Sequence, residues 1–192
     1  MRAKEEVEIL TVAEDGSTRA FQVDAISLHP EFDFFNASFN VALLHLAEDL
    51  EGVGEGVSDL CLPEDASSTF EGQVGSVAGY ALDDKGNRID PETPIETQMS
   101  ILPPSCEGKL IDCWEITSHM LCAVMDGGDA CLDNAGGPLT VRDGERHVLV
   151  GISSFGRDCK DPRTPKVYVR VSEFLSWISE QVGDTSLCKR DR

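Results

Sequence analysis

The apolar residues of this chain come in short runs, and glycine, proline or aspartate cuts off nearly every run before a helix can complete three turns. Val7–Val12, Phe21–Ile26, Val41–Leu46, Val74–Tyr80, His147–Phe155 and Val167–Val171 are each of strand length. Several are continuous rather than alternating, as strands covered on both faces are. Asp143-Gly144 lies between Pro138–Val141 and Val148–Ile152 and predicts a tight hairpin. Residues 51–56, Glu-Gly-Val-Gly-Glu-Gly, have the composition of a flexible connector. A helical period appears only near the end, where Phe174, Leu175, Trp177, Ile178 and Val182 fall on one stripe. Ser172 is the expected N-cap and Gly183 the expected stop. The pattern predicts an all-β body with a single amphipathic C-terminal helix.

Seven cysteines, at 61, 106, 113, 122, 131, 159 and 188, are many for a cytosolic domain of 192 residues. They lack the tight CxxC pairs of a zinc site, so disulfides are expected and no metal or other cofactor is. The odd count leaves one thiol over. Thirty-five acidic against sixteen basic side chains give a net charge of −19, a field that repels nucleic-acid phosphates and anionic lipid. No apolar run approaches a membrane span, so neither a nucleic-acid nor a membrane partner is expected. Met1 to Glu6 is charged and lacks the apolar core of a signal peptide.

Five segments in order carry a family resemblance. Asp129-Ala130-Cys131-Leu132-Asp133-Asn134-Ala135-Gly136-Gly137-Pro138-Leu139 resembles the nucleophile loop of chymotrypsin/trypsin-like serine proteases (peptidase S1), D-S-C-Q-G-D-S-G-G-P-L. Asn40-Val41-Ala42-Leu43-Leu44-His45-Leu46 resembles the strand that carries their triad aspartate. His119-Met120-Leu121-Cys122-Ala123, Leu149 to Gly156 and Thr164 to Val171 are similar to three further segments of the same family. The resemblance implies a trypsin-like double β-barrel, and it begins downstream of the T-A-A-H-C strand that holds the triad histidine. The N-terminal barrel is therefore expected to be incomplete. Residues 1–72 would form that partial barrel and a connector, 73–171 the C-terminal barrel, 172–183 the helix and 184–192 a polar tail.

A serine-protease triad requires a hydroxyl nucleophile, an imidazole to take its proton and a carboxylate to fix the imidazole tautomer. By the resemblance the nucleophile position is Ala135 and the carboxylate position is Asn40. Asp133 replaces the glycine of the oxyanion hole, and Asn134 replaces the aspartate that pairs with the liberated N-terminus of an active enzyme. The specificity pocket would have Asp129 at its floor, with Ser154, Phe155 and Gly156 along its edge. Lys166, where the family keeps a glycine, is expected to fold across that pocket and pair with Asp129.

The family pattern implies disulfides Cys106–Cys122 and Cys131–Cys159. It places Cys61 where many members tether an upstream segment, and it leaves Cys113 and Cys188 unassigned. A disulfide-linked partner through Cys61 or Cys188 is one expectation. Asn36-Ala37-Ser38 is an N-glycosylation sequon, meaningful if the chain is exported. The resemblance implies an extracellular protein. The expected function is a non-catalytic serine protease homologue that binds or regulates a protein partner, such as a protease, a zymogen or a cofactor. The alternative is a fragment of a longer trypsin-like endopeptidase with no independent function.

Overall fold

A computed structural model describes residues 7–12, 16–50, 59–83, 85–90, 93–106, 110–111, 114–125, 131–156 and 164–183. The chain divides into two compact units, one of Met1–Pro30 with Val41–Asp59 and one of Glu31–Asn40 with Leu60–Arg192. The connector expected at 51–56 lies outside the described residues.

In the first unit, β1 (Glu8–Val12), β2 (Thr18–Leu28) and β3 (Ala42–Leu46) form an antiparallel sheet in that order. The long central strand is paired on both sides, from Glu8 with Gln22 to Val12 with Thr18, and from Val23 with Leu46 to Leu28 with Ala42. Phe21, Val23 and Val41 are buried. The Arg19 guanidinium lies 4.5 Å from the centre of the Phe21 ring and pairs with Glu48 at 3.0 Å. Among the described residues this sheet is open at β1 and β3.

The second unit contains a closed barrel. β10 (Pro138–Asp143), β11 (Arg146–Phe155), β12 (Lys166–Arg170), β8 (Met120–Met125), β5 (Ile95–Ile101) and β4 (Val74–Leu82) follow one another antiparallel. β10 then returns to β4, with Leu139 opposite Val77 and Thr140 opposite Ser76. A seventh strand, β9 (Cys131–Asp133), extends the other half of that edge of β4, and β6 (Leu110–Ile111) pairs with β7 (Trp114–Glu115). Strand faces alternate, so every second residue turns inward. Met99 and Ile101, Leu121 and Ala123, Leu139 and Val141, and Val148 and Val150 fill the interior with Tyr168. Burial pushes the Tyr168 phenol well above its ordinary pKa. The Asp143-Gly144 hairpin forms as expected, with Asp143 opposite Arg146 and Gly144 at φ 64°.

Cys61 is anchored against β11, since its N–H donates to His147 O at 2.9 Å and its carbonyl accepts from Leu149 N at 2.8 Å. It is 3% exposed and disulfide-bonded. Cys106 and Cys122 form the expected disulfide, 16 residues apart, within a second apolar cluster with Ile116, Met120 and Val167. Closing a loop of that size stabilises the fold by about 3 kcal/mol. Cys113, Cys159 and Cys188 lie outside the described residues, and with them the expected Cys131–Cys159 pair.

The C-terminal helix departs from expectation at its start. Val171–Phe174 form a 3₁₀ turn, and the α-helix, α1, runs from Leu175 to Val182. Ser172 is not its cap. It is fully buried, and its Oγ donates to the carbonyl of Ser68 at 2.8 Å. Phe174, Trp177 and Val171 bury the apolar stripe, and Gly183, at φ 78°, stops the helix as expected.

Candidate functional site

The site is built where the turn between β9 and β10 meets the end of β11. Gly136 N–H donates to Ser153 O and Ser153 N–H donates to Gly137 O, both at 2.9 Å, which clips the turn onto the strand. Gly137 N–H closes the turn on Asn134 O at 2.6 Å. A Cβ on Gly137 would lie 2.7 Å from that same carbonyl, so the sharp bend requires glycine there. Held this way, Ala135 is exposed at the crest of the turn. Its methyl group carries no lone pair and cannot attack a carbonyl.

The end of β11 then presents two serines to different partners. Ser153 Oγ donates to Asn134 Oδ1 at 3.1 Å, so the carboxamide finds its partner inside the turn. In the pairing with β12, Ser153 faces Tyr168 and Phe155 faces Val167, leaving Ser154 as the extra residue of a β-bulge. Bulges re-aim side chains. Ser154 Oγ accepts a hydrogen bond from Asn40 Nδ2 at 3.0 Å. An amide in that place presents N–H to its neighbour, whereas a carboxylate would only accept.

Asn40 reaches this position because residues 31–40 belong to the second unit. Phe39 stacks on His119 with ring centres 4.1 Å apart and meets Phe174 edge-on at 6.0 Å. Phe39 and Ala37 both adopt left-handed backbone, at φ 53°, a conformation that persists only where packing enforces it. The structure thus brings together Asn40, Asn134, Ala135 and Ser154. Gly156, at φ 107°, lies directly against the Pro165–Lys166 backbone, so the expected pocket edge and Lys166 are neighbours. Asp129 lies outside the described residues. Asp133 pairs through its backbone with Tyr80.

Two histidines are engaged within their own surroundings. His119 belongs to the aromatic cluster, and His45 Nε2 lies 3.2 Å from Ser27 Oγ. Beside Ala135 is an open cavity of about 300 Å³, lined by Ala78, Tyr80, Arg88, Pro94 and Asn134 among others. Arg88 stacks over the Tyr80 ring at 4.3 Å. The turn before it is held by Asp83, whose carboxylate accepts from Asn87 N–H at 2.8 Å and Lys85 N–H at 2.9 Å. Those donors, Asn87 first, hold the Asp83 pKa below the usual carboxylate value. Sequence reasoning missed Tyr80, Arg88 and the role of Ser153. Only Ser153, inside a recognised segment, carried a signal.

The family model for trypsin matches residues 6–178. The chain belongs to the trypsin family. Within that family it is 33% identical over 168 residues to transmembrane protease serine 5 of Homo sapiens, covering 86% of this chain and 36% of the relative. It is 31% identical over 174 residues to tissue-type plasminogen activator of Sus scrofa, covering 84% of this chain and 31% of the relative. The protein of the same name from Bos taurus is 30% identical over an equal length. The chain therefore spans about a third of the length of these relatives. The trypsin family is one of serine endopeptidases, and this member has a trypsin-like fold with one closed six-stranded barrel and a Cys106–Cys122 disulfide. The turn between β9 and β10 is folded and clipped to β11, with Ala135 at the crest.

Proposed function

We propose that this trypsin-family domain is a non-catalytic serine protease homologue, working outside the cell as a binding or regulatory module for a protein partner. The observation that carries this reading is Ala135 itself, set at the crest of an otherwise well-formed turn. A hydroxyl nucleophile there is what the family mechanism requires. Loss of such a serine alone costs on the order of 10⁶ in turnover. Asn40 adds to the same reading, because its amide faces Ser154 as a donor and offers no carboxylate to stabilise an imidazolium. The Cys106–Cys122 bond supports an oxidising, extracytoplasmic setting.

The partner class that fits a net charge of −19 is a protein with a basic docking face, such as a protease, a zymogen or a cofactor. Lys166, whose backbone neighbours Gly156, is proposed to pair with Asp129 and so to leave a substrate side chain no free entry. The reading is tested by incubating the purified protein with arginyl and lysyl peptide substrates. No turnover above buffer is expected. Turnover that co-purifies with the intact chain, and is lost when the chain is immunodepleted, would overturn the proposal.

A further inference from the structure

The turn at residues 31–38 exposes two aromatic rings that its own geometry prevents from folding away. Phe34 is 77% and Phe35 88% exposed, with their rings edge-on at 6.3 Å, and Phe32 beside them is 39% exposed. The turn is closed by a bridge between Asp33 and Ser38, with Asp33 N–H donating to Ser38 O at 3.1 Å. Asp33 Oδ1 accepts from Phe35 N–H, and Asn36 Oδ1 accepts from Ser38 N–H, each at 2.8 Å. Ala37 and Ser38 are buried, and Phe39 is pinned between His119 and Phe174. The backbone therefore has little freedom to turn the two rings inward. Large side chains held this far into water mark a surface with a natural cover.

Asn36-Ala37-Ser38, at the end of this patch, supplies a covalent attachment point for such a cover. The hydrogen bond to Ser38 uses Asn36 Oδ1 and leaves Nδ2, the atom to which a glycan is joined, uncommitted by that bond. Asn36 is exposed, so a sugar on it projects outward beside the rings. We infer that Asn36 carries an N-linked glycan whose first N-acetylglucosamine residue packs on Phe34 and Phe35 and covers them. This inference rests on the extracellular reading above, because the donor is found only on the secretory route. In the transfer, Asn36 Nδ2 displaces the pyrophosphate of a polyprenyl-pyrophosphate oligosaccharide from C1 of its reducing-end N-acetylglucosamine. An N–C1 bond forms, the C1–O bond to pyrophosphate breaks, and Nδ2 loses one proton. Ser38 is 7% exposed once the turn has formed, so transfer precedes folding of this segment. Afterwards the C–H face of the pyranose meets the ring faces, an apolar contact between two rigid groups.

The experiment examines the endogenous protein by intact mass, before and after peptide-N-glycosidase F, with the redox state of Cys106 and Cys122 read on the same sample. The expected result is an oxidised pair and a mass loss on digestion that is absent in Asn36→Gln and in Ser38→Ala. Ser38→Ala keeps the Asn36 Oδ1 bond to the residue 38 backbone and removes only the sequon hydroxyl. An oxidised pair with no mass loss overturns the glycan and leaves the extracellular reading standing. A reduced pair with no mass loss overturns both. For the packing, the glycosylated protein is expected to melt higher and bind less of an apolar dye than Ser38→Ala. That gap should close in a glycosylated Phe34→Ala/Phe35→Ala variant. A gap that persists in it overturns the aromatic platform.

Discussion

Asn40 and Ser154, 114 positions apart in the chain, are joined by a hydrogen bond from Nδ2 to Oγ at 3.0 Å. The bond depends on two unrelated local features. Phe39 anchors one partner through its packing on His119 and Phe174, and a β-bulge aims the other. In the proposed reading, Asn40 holds the place of a catalytic carboxylate and fills it with a hydrogen-bond donor.

Restoring the nucleophile alone is therefore expected to achieve little. Ala135→Ser, and the double variant with Asn40→Asp, should fold and yet show no peptide hydrolysis above buffer, because a serine needs an oriented imidazole to take its proton and His119 is held in the cluster of Phe39 and Phe174. Asn40→Asp by itself should change stability by no more than about 1 kcal/mol, since the Ser154 hydroxyl can rotate to donate to a carboxylate. Peptide turnover and urea denaturation of the three proteins check both statements.

The proposed pairing of Lys166 with Asp129 predicts that benzamidine, an arginine-like amidine, fails to bind at millimolar concentration. Lys166→Gly, which returns the family residue beside Gly156, should allow binding if Asp129 is then unpaired. Calorimetric titration of both proteins decides the matter.

Ser172 ties the 3₁₀ turn before α1 to the carbonyl of Ser68 from a fully buried position. Ser172→Ala leaves that acceptor without its donor and should cost about 1–3 kcal/mol, measured by urea denaturation. A loss of only about 0.3 kcal/mol would contradict a structural role for that buried bond.

Tyr168 predicts a loss of stability in alkali. Its folded pKa is raised by burial, so the native state keeps a proton that the unfolded chain releases near about pH 10. The unfolded state then binds fewer protons, and stability falls as pH rises beyond that value. Thermal melts from about pH 9 to about pH 11 should show the fall, and Tyr168→Phe should reduce it.

Much of this architecture was legible in residue order. Glycine, aspartate and proline marked off β2, β3, β4, β11 and β12, and Gly183 marked the end of α1. β5 was missed although its alternation is present, with Thr97, Met99 and Ile101 turned inward and Glu96 and Gln98 outward. Its polar half hid the period. Ser172 was assigned to a cap because a serine before an apolar stripe is the usual signal, and tertiary burial overrode it. Of the site, Asn40, Asn134, Ala135 and Ser154 were visible through motifs. Tyr80 and Arg88 were not, because strand pairing alone brings β4 beside the turn at Ala135.

The central claim is that Ala135 leaves this trypsin-family domain without a nucleophile. A fluorophosphonate that phosphonylates activated serines with loss of fluoride, followed by intact mass with active trypsin as the positive control, tests it most directly. The account predicts an unchanged mass for this chain under conditions that label trypsin completely. Stoichiometric labelling, mapped to any residue of this chain, would contradict it.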